Sequence, residues 1–411
     1  MPVPPDPDLR LGAPRPLAAV FLATFFVRFS FGITIAVFIA YISHRSSDYT
    51  AAQLGIAGLV SAMAPIGEFS TVLLSGAAAD RWGRYPVLFG GMAAAAVLFG
   101  VVAATRSVIV LGVANFVFGI ASGAILAASL AVVADRSGSD ERGLEMGRFD
   151  AVNLSGWIAG FAFGFGAIGA LANAQLWIVF LLGAGMLLLG IMGSMRLLRD
   201  APLRSSVRTF SLAAVLRNSF RRTVLVVTLP WLVIYALIGA ALVFLQPATS
   251  GIGIRPLYLA AAIGGAGGLL VLSQPYFGRW ADRVGRTRMM TIGATGFILV
   301  LGFACLLLAF GPAWPLLLGL GLSALPALAY GPAALAALAD LAGAISRATT
   351  MAIYSLTISL GMFLGIVASS QLISRFGNAG LYPFFGSIAV VLAVLTAIRW
   401  VEAQAATIPV R

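Results

Sequence analysis

Residues 76–91 read GAAADRWGRYPVLFGG, and residues 278–293 read GRWADRVGRTRMMTIG. Each phrase sets an Asp and several Arg residues between long apolar runs, although charged residues make up only 10 % of the chain. Gly76, Ala79, Asp80, Arg81, Gly83 and Arg84 recur 202 residues later as Gly278, Ala281, Asp282, Arg283, Gly285 and Arg286. Asp135, Arg142, Met146, Gly156 and Gly160 recur 205 residues later as Asp340, Arg347, Met351, Gly361 and Gly365. Two sets in the same order, with a shift of three absorbed between them, mark an internal duplication.

The residues around these phrases are membrane material. Of the 411 residues 60 % are hydrophobic, and the mean hydropathy is +1.01. Soluble domains are less apolar and carry more than twice this share of charge. About 20 apolar residues cross a bilayer core as a helix. Twelve stretches qualify, at roughly 17–42, 53–77, 86–104, 108–133, 147–172, 175–195, 223–246, 256–278, 288–310, 313–338, 351–373 and 380–401. The longest polar stretch, MRLLRDAPLRSSVRTFSLAAVLRNSFRR, divides them six and six. The expected organisation is an N-terminal bundle over 1–195, an Arg-rich central loop over 196–222 and a C-terminal bundle over 223–411. Paired six-helix halves are the architecture of a transporter that rocks about a site at mid-membrane.

The net charge of +12 comes from 26 basic residues, all of them Arg, against 14 acidic ones. No basic patch interleaved with aromatics points to nucleic acid. The Arg residues instead report topology, because positively charged loops stay cytoplasmic. With the N-terminus inside, 21 Arg fall on cytoplasmic segments and four (Arg45, Arg106, Arg255, Arg375) on the opposite side. Both termini are therefore expected in the cytoplasm. The opening MPVPPDPDLRLGAPRP is acidic and proline-rich, unlike a cleavable signal. Short loops and missing targeting signals fit a prokaryotic inner membrane. A single cysteine, Cys305, and a single histidine, His44, leave no basis for a metal cluster or a His-dependent triad. No nucleotide-binding loop is present either, so neither an enzyme nor a cofactor is expected.

The repeated G-x-x-A-D-R-x-G-R phrase, between spans 2 and 3 and again between spans 8 and 9, resembles the signature loop of the major facilitator superfamily. The likeness extends to span count, central loop and spacing. It implies an all-α membrane fold of twelve helices in two pseudo-symmetric bundles, working as a monomer. It also implies that Asp80, Arg81 and Arg84 latch the two halves in the outward-open state, with Asp135 as partner. Asp282, Arg286 and Asp340 form the matching set. Within the phrase, Gly76 and Gly83 are expected to allow close helix approach and a tight turn. Two departures stand out: Ala78 replaces a common Leu, and Tyr85 replaces a second basic residue. The same residues have a plainer reading, as interfacial turn residues that serve topology.

Ionisable groups inside a bilayer are costly unless paired or hydrated, so each is a functional candidate. Arg28 lies ~16 Å into span 1 and Glu68 ~14 Å from the cytoplasmic end of span 2, at 1.5 Å per residue. Equal depth on consecutive spans suggests a pair. Neither has a charged counterpart 202 residues on, at Pro230 and Leu270. A carboxylate poised between burial and a nearby cation can take and release a proton as the cation moves away. The other reading is a static ion pair that fixes packing. Asp150, one turn into span 5, is the third candidate, near enough to the interface for water or Arg148 to satisfy it.

Drug-type proton antiporters of the superfamily commonly carry an Arg in span 4, where this chain has Asn115. They also carry a Gly-Pro phrase in span 5, where Phe161 replaces Pro. The sugar-porter phrase after span 6 is missing too. Candidates to line a cavity are Phe25, Asn115, Asn153, Trp157, Trp231, Tyr235, Gln246, Tyr330, Tyr354 and Gln371; aromatics suit amphipathic solutes. The expected activity is proton-coupled export of amphipathic or hydrophobic small molecules. The alternative is an uptake symporter or facilitator for an organic anion drawn to Arg28. A receptor or intramembrane enzyme is the reading from another class.

Overall fold

The computed structural model describes residues 14–42, 51–136, 142–197, 222–250, 255–311, 313–342 and 347–405. The central segment 198–221 lies outside these. The described chain is helical: α1 Pro14–Ile42, α2 Ala51–Trp82, α3 Arg84–Ala104, α4 Val108–Arg136, α5 Arg142–Ala170 and α6 Trp177–Leu197 come first. Then follow α7 Arg222–Ser250, α8 Pro256–Val284, α9 Arg286–Phe310, α10 Trp314–Ala327, α11 Tyr330–Ala342, α12 Arg347–Phe376 and α13 Leu381–Ala405. Twelve spans in them are long and apolar enough to cross a membrane. Large apolar side chains such as Val97, Ile109, Leu318 and Val390 face outward. Such a surface suits lipid.

Several helices overrun their hydrophobic spans. α2 continues to Trp82 and α8 to Val284, so each signature phrase is mostly helix. The turn between helices is a single residue, Gly83 (φ 95°) in one copy and Gly285 (φ 98°) in the other. Every described positive φ belongs to a glycine. A Cβ at these angles is strained, so the phrase needs glycine there. Gly76 behaves differently from expectation: a Cβ built on it, or on Gly278, meets nothing within 4 Å. The close helix approach expected at Gly76 is not made here, because Gly76 faces away from the neighbours that bury Ser75 and Ala79.

The tenth span, expected as one helix over 313–338, is two. α10 ends at Ala327 and α11 begins at Tyr330. Pro326 has no N–H to donate and crowds the preceding turn. The broken turn packs on glycines of α9, where a Cβ on Gly293 would lie 2.7 Å from the Tyr330 amide nitrogen.

Glycines also set the closest helix pairs. A Cβ on Gly156 would sit 2.6 Å from the Phe25 carbonyl and 2.8 Å from the Arg28 Cβ, joining α5 to α1. A Cβ on Gly361 would sit 2.5 Å from the Leu232 carbonyl and 2.8 Å from the Tyr235 Cβ, joining α12 to α7. Gly160 meets Phe29 as Gly365 meets Ala236, and Gly32 meets Trp157 as Gly239 meets Met362. Small residues let membrane helices approach backbone to backbone, where dispersion and weak polar contacts replace the hydrophobic drive. The duplication therefore runs at a shift of 207 in α1 and α7, from Arg28 to Tyr235. The expected counterpart Pro230 is the wrong register, since loop lengths differ before the signature phrase.

α1 packs chiefly on α5 and α6, α2 on α4, and α7 on α12 and α13. The first six spans meet the last six mainly through α2 against α12 and α5 against α8. Those contacts reach the end of the bundle opposite the signature turns. There a Cβ on Gly55 would lie 3.3 Å from the Ser374 Cβ, and one on Gly169 3.4 Å from the Leu257 nitrogen. At the signature end Arg81, Trp82, Trp280, Asp282 and Arg283 are exposed. The two halves are thus in contact at the end opposite the signature turns.

Candidate functional site

At the depth where the halves meet, α1, α2, α4, α5 and α12 bring polar side chains together. Arg28 and Glu68 are each 4 % exposed. They were expected as a pair across consecutive helices, yet α1 and α2 are not close partners. The two charges meet through α4 instead. Arg28 Nη1 donates to Ser122 Oγ at 3.5 Å, and Ser122 Oγ donates to Glu68 Oε2 at 3.2 Å. Small α4 residues make room for this, because a Cβ on Gly123 would press on the Glu68 Cγ at 3.2 Å. Ser355 of α12 donates to the other carboxylate oxygen, Oε1, at 3.2 Å. Glu68 is thus held from both halves.

Arg28 is fixed on its other side by α5. Its Nε donates to Asn153 Oδ1 at 2.7 Å, and its guanidinium carbon lies 5.7 Å from the Trp157 ring centre and 5.9 Å from that of Phe31. Such contacts stabilise a desolvated cation electrostatically. Asn153 follows Asp150 by one turn of α5. The Tyr354 hydroxyl of α12 donates to Asp150 Oδ1 at 3.3 Å. Asp150, expected to rely on water or Arg148, therefore joins the same network, while the Arg148 side chain is exposed. Tyr354 packs on Trp231, with ring centres 5.0 Å apart, and Trp231 in turn on Tyr235 of α7 at 6.0 Å. Adjacent residues Tyr354 and Ser355 each reach a carboxylate of the other half.

Other candidates lie elsewhere. Asn115 donates its amide to the carbonyls of Val60 (2.8 Å) and Ser61 (3.4 Å), so its nitrogen ties α4 to α2. Tyr330 is buried at the α10–α11 break, away from the cluster. Gln371 is exposed on α12, about 24 Å beyond Ser355 along the helix axis at 1.5 Å per residue. Phe25 sits one turn before Arg28, partly exposed and stacked on Phe29 at 6.2 Å. The Gln246 side chain lies outside the described residues.

So do the side chains of Asp80, Asp135 and Asp340. Arg81 is exposed and Arg84 buried. In the second copy Arg286 meets Asp282 at 3.7 Å and donates to the Ala336 carbonyl of α11 at 2.5 Å.

Sequence reading missed Ser122, Ser355, Phe31 and Arg399. Ser355 is the 205-residue counterpart of Asp150, and that register held the signal. Arg399, near the end of the twelfth span, is buried on α13 against the Met290 sulfur. Among the described residues no group of three His, Cys, Asp or Glu is placed to hold a metal ion.

The profile of the Major Facilitator Superfamily matches residues 20–272 and 239–409. The chain belongs to the major facilitator superfamily. It is a multi-pass membrane transporter, as that membership and its twelve spans require. Among solved structures it is similar to the human organic anion transporter MFSD10 (TETRAN), with 19 % identity, a TM-score of 0.67 and 93 % of this chain matched to 99 % of that one. It is also similar to the nucleoside transporter NupG, with 13 % identity, a TM-score of 0.64 and 94 % of this chain matched to 98 % of that one. At these identities the likeness speaks for the fold.

Proposed function

We propose that this facilitator is a proton-coupled exporter of amphipathic small molecules, working as a monomer by alternating access between its first and last six spans. The observation that carries the reading is Glu68, a buried acid held at once by Ser122 of one half and Ser355 of the other. An ionised carboxylate only accepts hydrogen bonds, whereas a protonated one must also donate. Proton uptake therefore rearranges a contact that spans the moving interface. Arg28 offsets the charge of the ionised form through Ser122 within the first half, and the Ser355 contact is the one that gives way when the halves shift. The excess of Arg on the signature side supports placing that side in the cytoplasm, and the close contacts at the other end support an inward-facing arrangement.

Purified protein in proteoliposomes under an imposed pH gradient tests the coupling. Glu68→Gln is expected to lose gradient-driven movement of a solute while still exchanging it down its own gradient. Undiminished gradient-driven transport in Glu68→Gln would remove Glu68 from the mechanism. A second reading, uptake of an organic anion, draws on the buried Arg28 and on the stated substrate of the similar human transporter. Anion and protons moving inward together would favour it over exchange.

A further inference from the structure

The central cluster contains one cation and two carboxylates. Arg28 and Glu68 offset one another through Ser122. Asp150 is then in excess, and with both acids ionised the cluster carries a net charge of −1, counted from one Arg and two acids. A net buried charge is costly in a low-dielectric interior. It calls for a proton or for a cation from outside.

The surroundings of Asp150 favour a particular cation. Tyr354 stands beside it, and Trp231 and Tyr235 complete an aromatic cluster with Tyr354, with ring centres 5.0 Å (Trp231–Tyr354) and 6.0 Å (Trp231–Tyr235) apart. Tyr354 touches the carboxylate directly. Trp231 and Tyr354 are buried, whereas Asp150 and Tyr235 keep partial exposure. Aromatic faces attract cations, and a ring cluster beside a carboxylate suits a bulky ammonium that donates no hydrogen bonds. The nearest opposing charge, Arg28, is engaged by Asn153, Ser122 and Trp157. Glu68 is engaged by Ser122 and Ser355, and Arg148 is exposed.

We infer that Asp150, Trp231, Tyr235 and Tyr354 form a subsite for the charged nitrogen of an organic ammonium substrate. This deepens the reading of the cluster as the transport site and rests on it. The substrate's apolar part lies toward Phe25 and Trp157, and its nitrogen takes the place otherwise filled by a proton.

Binding to the full chain in detergent, followed by calorimetry, tests the subsite with three probes of one shape. They are benzyltrimethylammonium, its uncharged carbon isostere neopentylbenzene, and benzylsulfonate. The ammonium is expected to bind at least about tenfold more tightly than either of the others. Asp150→Asn should lose that preference, and Tyr354→Phe, which keeps the ring, should hold it within about threefold. Where Asp150→Asn does not yield folded protein, Trp231→Leu is expected to weaken ammonium binding by a similar factor. Equal binding of the isostere, preference for the sulfonate, or full ammonium affinity in Asp150→Asn would each overturn the subsite. Ammonium binding that depends on Asp150 without any gradient-driven transport would keep the subsite and reject proton exchange. Gradient-driven transport of sulfonate alone would do the reverse.

Discussion

Tyr235 occupies in the last six spans the position that Arg28 holds in the first six. Each Cβ lies 2.8 Å from the Cβ that a side chain on the matching glycine, Gly361 or Gly156, would place there. By the 205-residue register Ser355 likewise matches Asp150. Two equivalent scaffolds thus carry charge on one side and neutral hydroxyls on the other. Those hydroxyls, or their immediate neighbours, are what reach the opposite carboxylates. Asymmetric chemistry on a symmetric frame is what a carrier needs if one half is to hold the charges and the other to respond to them.

Arg28→Met should destabilise the protein by about 3–5 kcal/mol, because it leaves Glu68 buried without its cation. Adding Glu68→Gln should restore a good part of that loss, since the pair is removed together. Thermal melting of the two single variants and the double variant gives the coupling. Simple additivity would show that Ser122 does not connect them.

Ser355→Ala removes the donor that the last six spans offer to Glu68 Oε1. The expected cost is about 1 kcal/mol of stability. Transport coupled to a pH gradient should fall more steeply than exchange at equal pH. The two rates measured on the same vesicles separate a coupling role from a loss of folded protein.

Gly365→Ala should destabilise by about 1–3 kcal/mol, because its methyl group collides with the Ala236 carbonyl oxygen. Gly76→Ala should stay within about 0.5 kcal/mol of the parent, its site being open in this arrangement. Melting curves rank the two. A reversed order would contradict the packing described.

A Gly55→Cys/Ser374→Cys pair, built with Cys305→Ala, should form a disulfide readily. The position of a Cβ on Gly55, 3.3 Å from the Ser374 Cβ, is close to the spacing a disulfide adopts. Oxidation should stop transport by locking the end opposite the signature turns, and reduction should restore it. Full activity of the oxidised protein would mean that this end does not open.

Much of this was legible in one dimension. Twelve spans follow from hydropathy, because a bilayer demands apolar helices of a fixed length. The turn at Gly83 and Gly285 follows from a repeated phrase in which only glycine tolerates the backbone angles. Arg28 and Glu68 stand out for the same reason that makes them useful, the cost of a charge in hydrocarbon. The break at Pro326 was also available in principle, but a proline within a long apolar run is often tolerated and gave no distinct signal.

What the linear chain left open was adjacency. Helix order does not say that α4 lies between α1 and α2, so Ser122 could not be seen as the link between Arg28 and Glu68. Nor could Asn115 be seen to spend both its contacts on α2 carbonyls. Hydropathy and the repeated phrases by themselves determined that this chain crosses a membrane twelve times in two related halves. Only the packed bundle decided that Tyr354 and Ser355 face Asp150 and Glu68. Those pairings depend on glycine-set distances between helices remote in sequence, and no local preference encodes them.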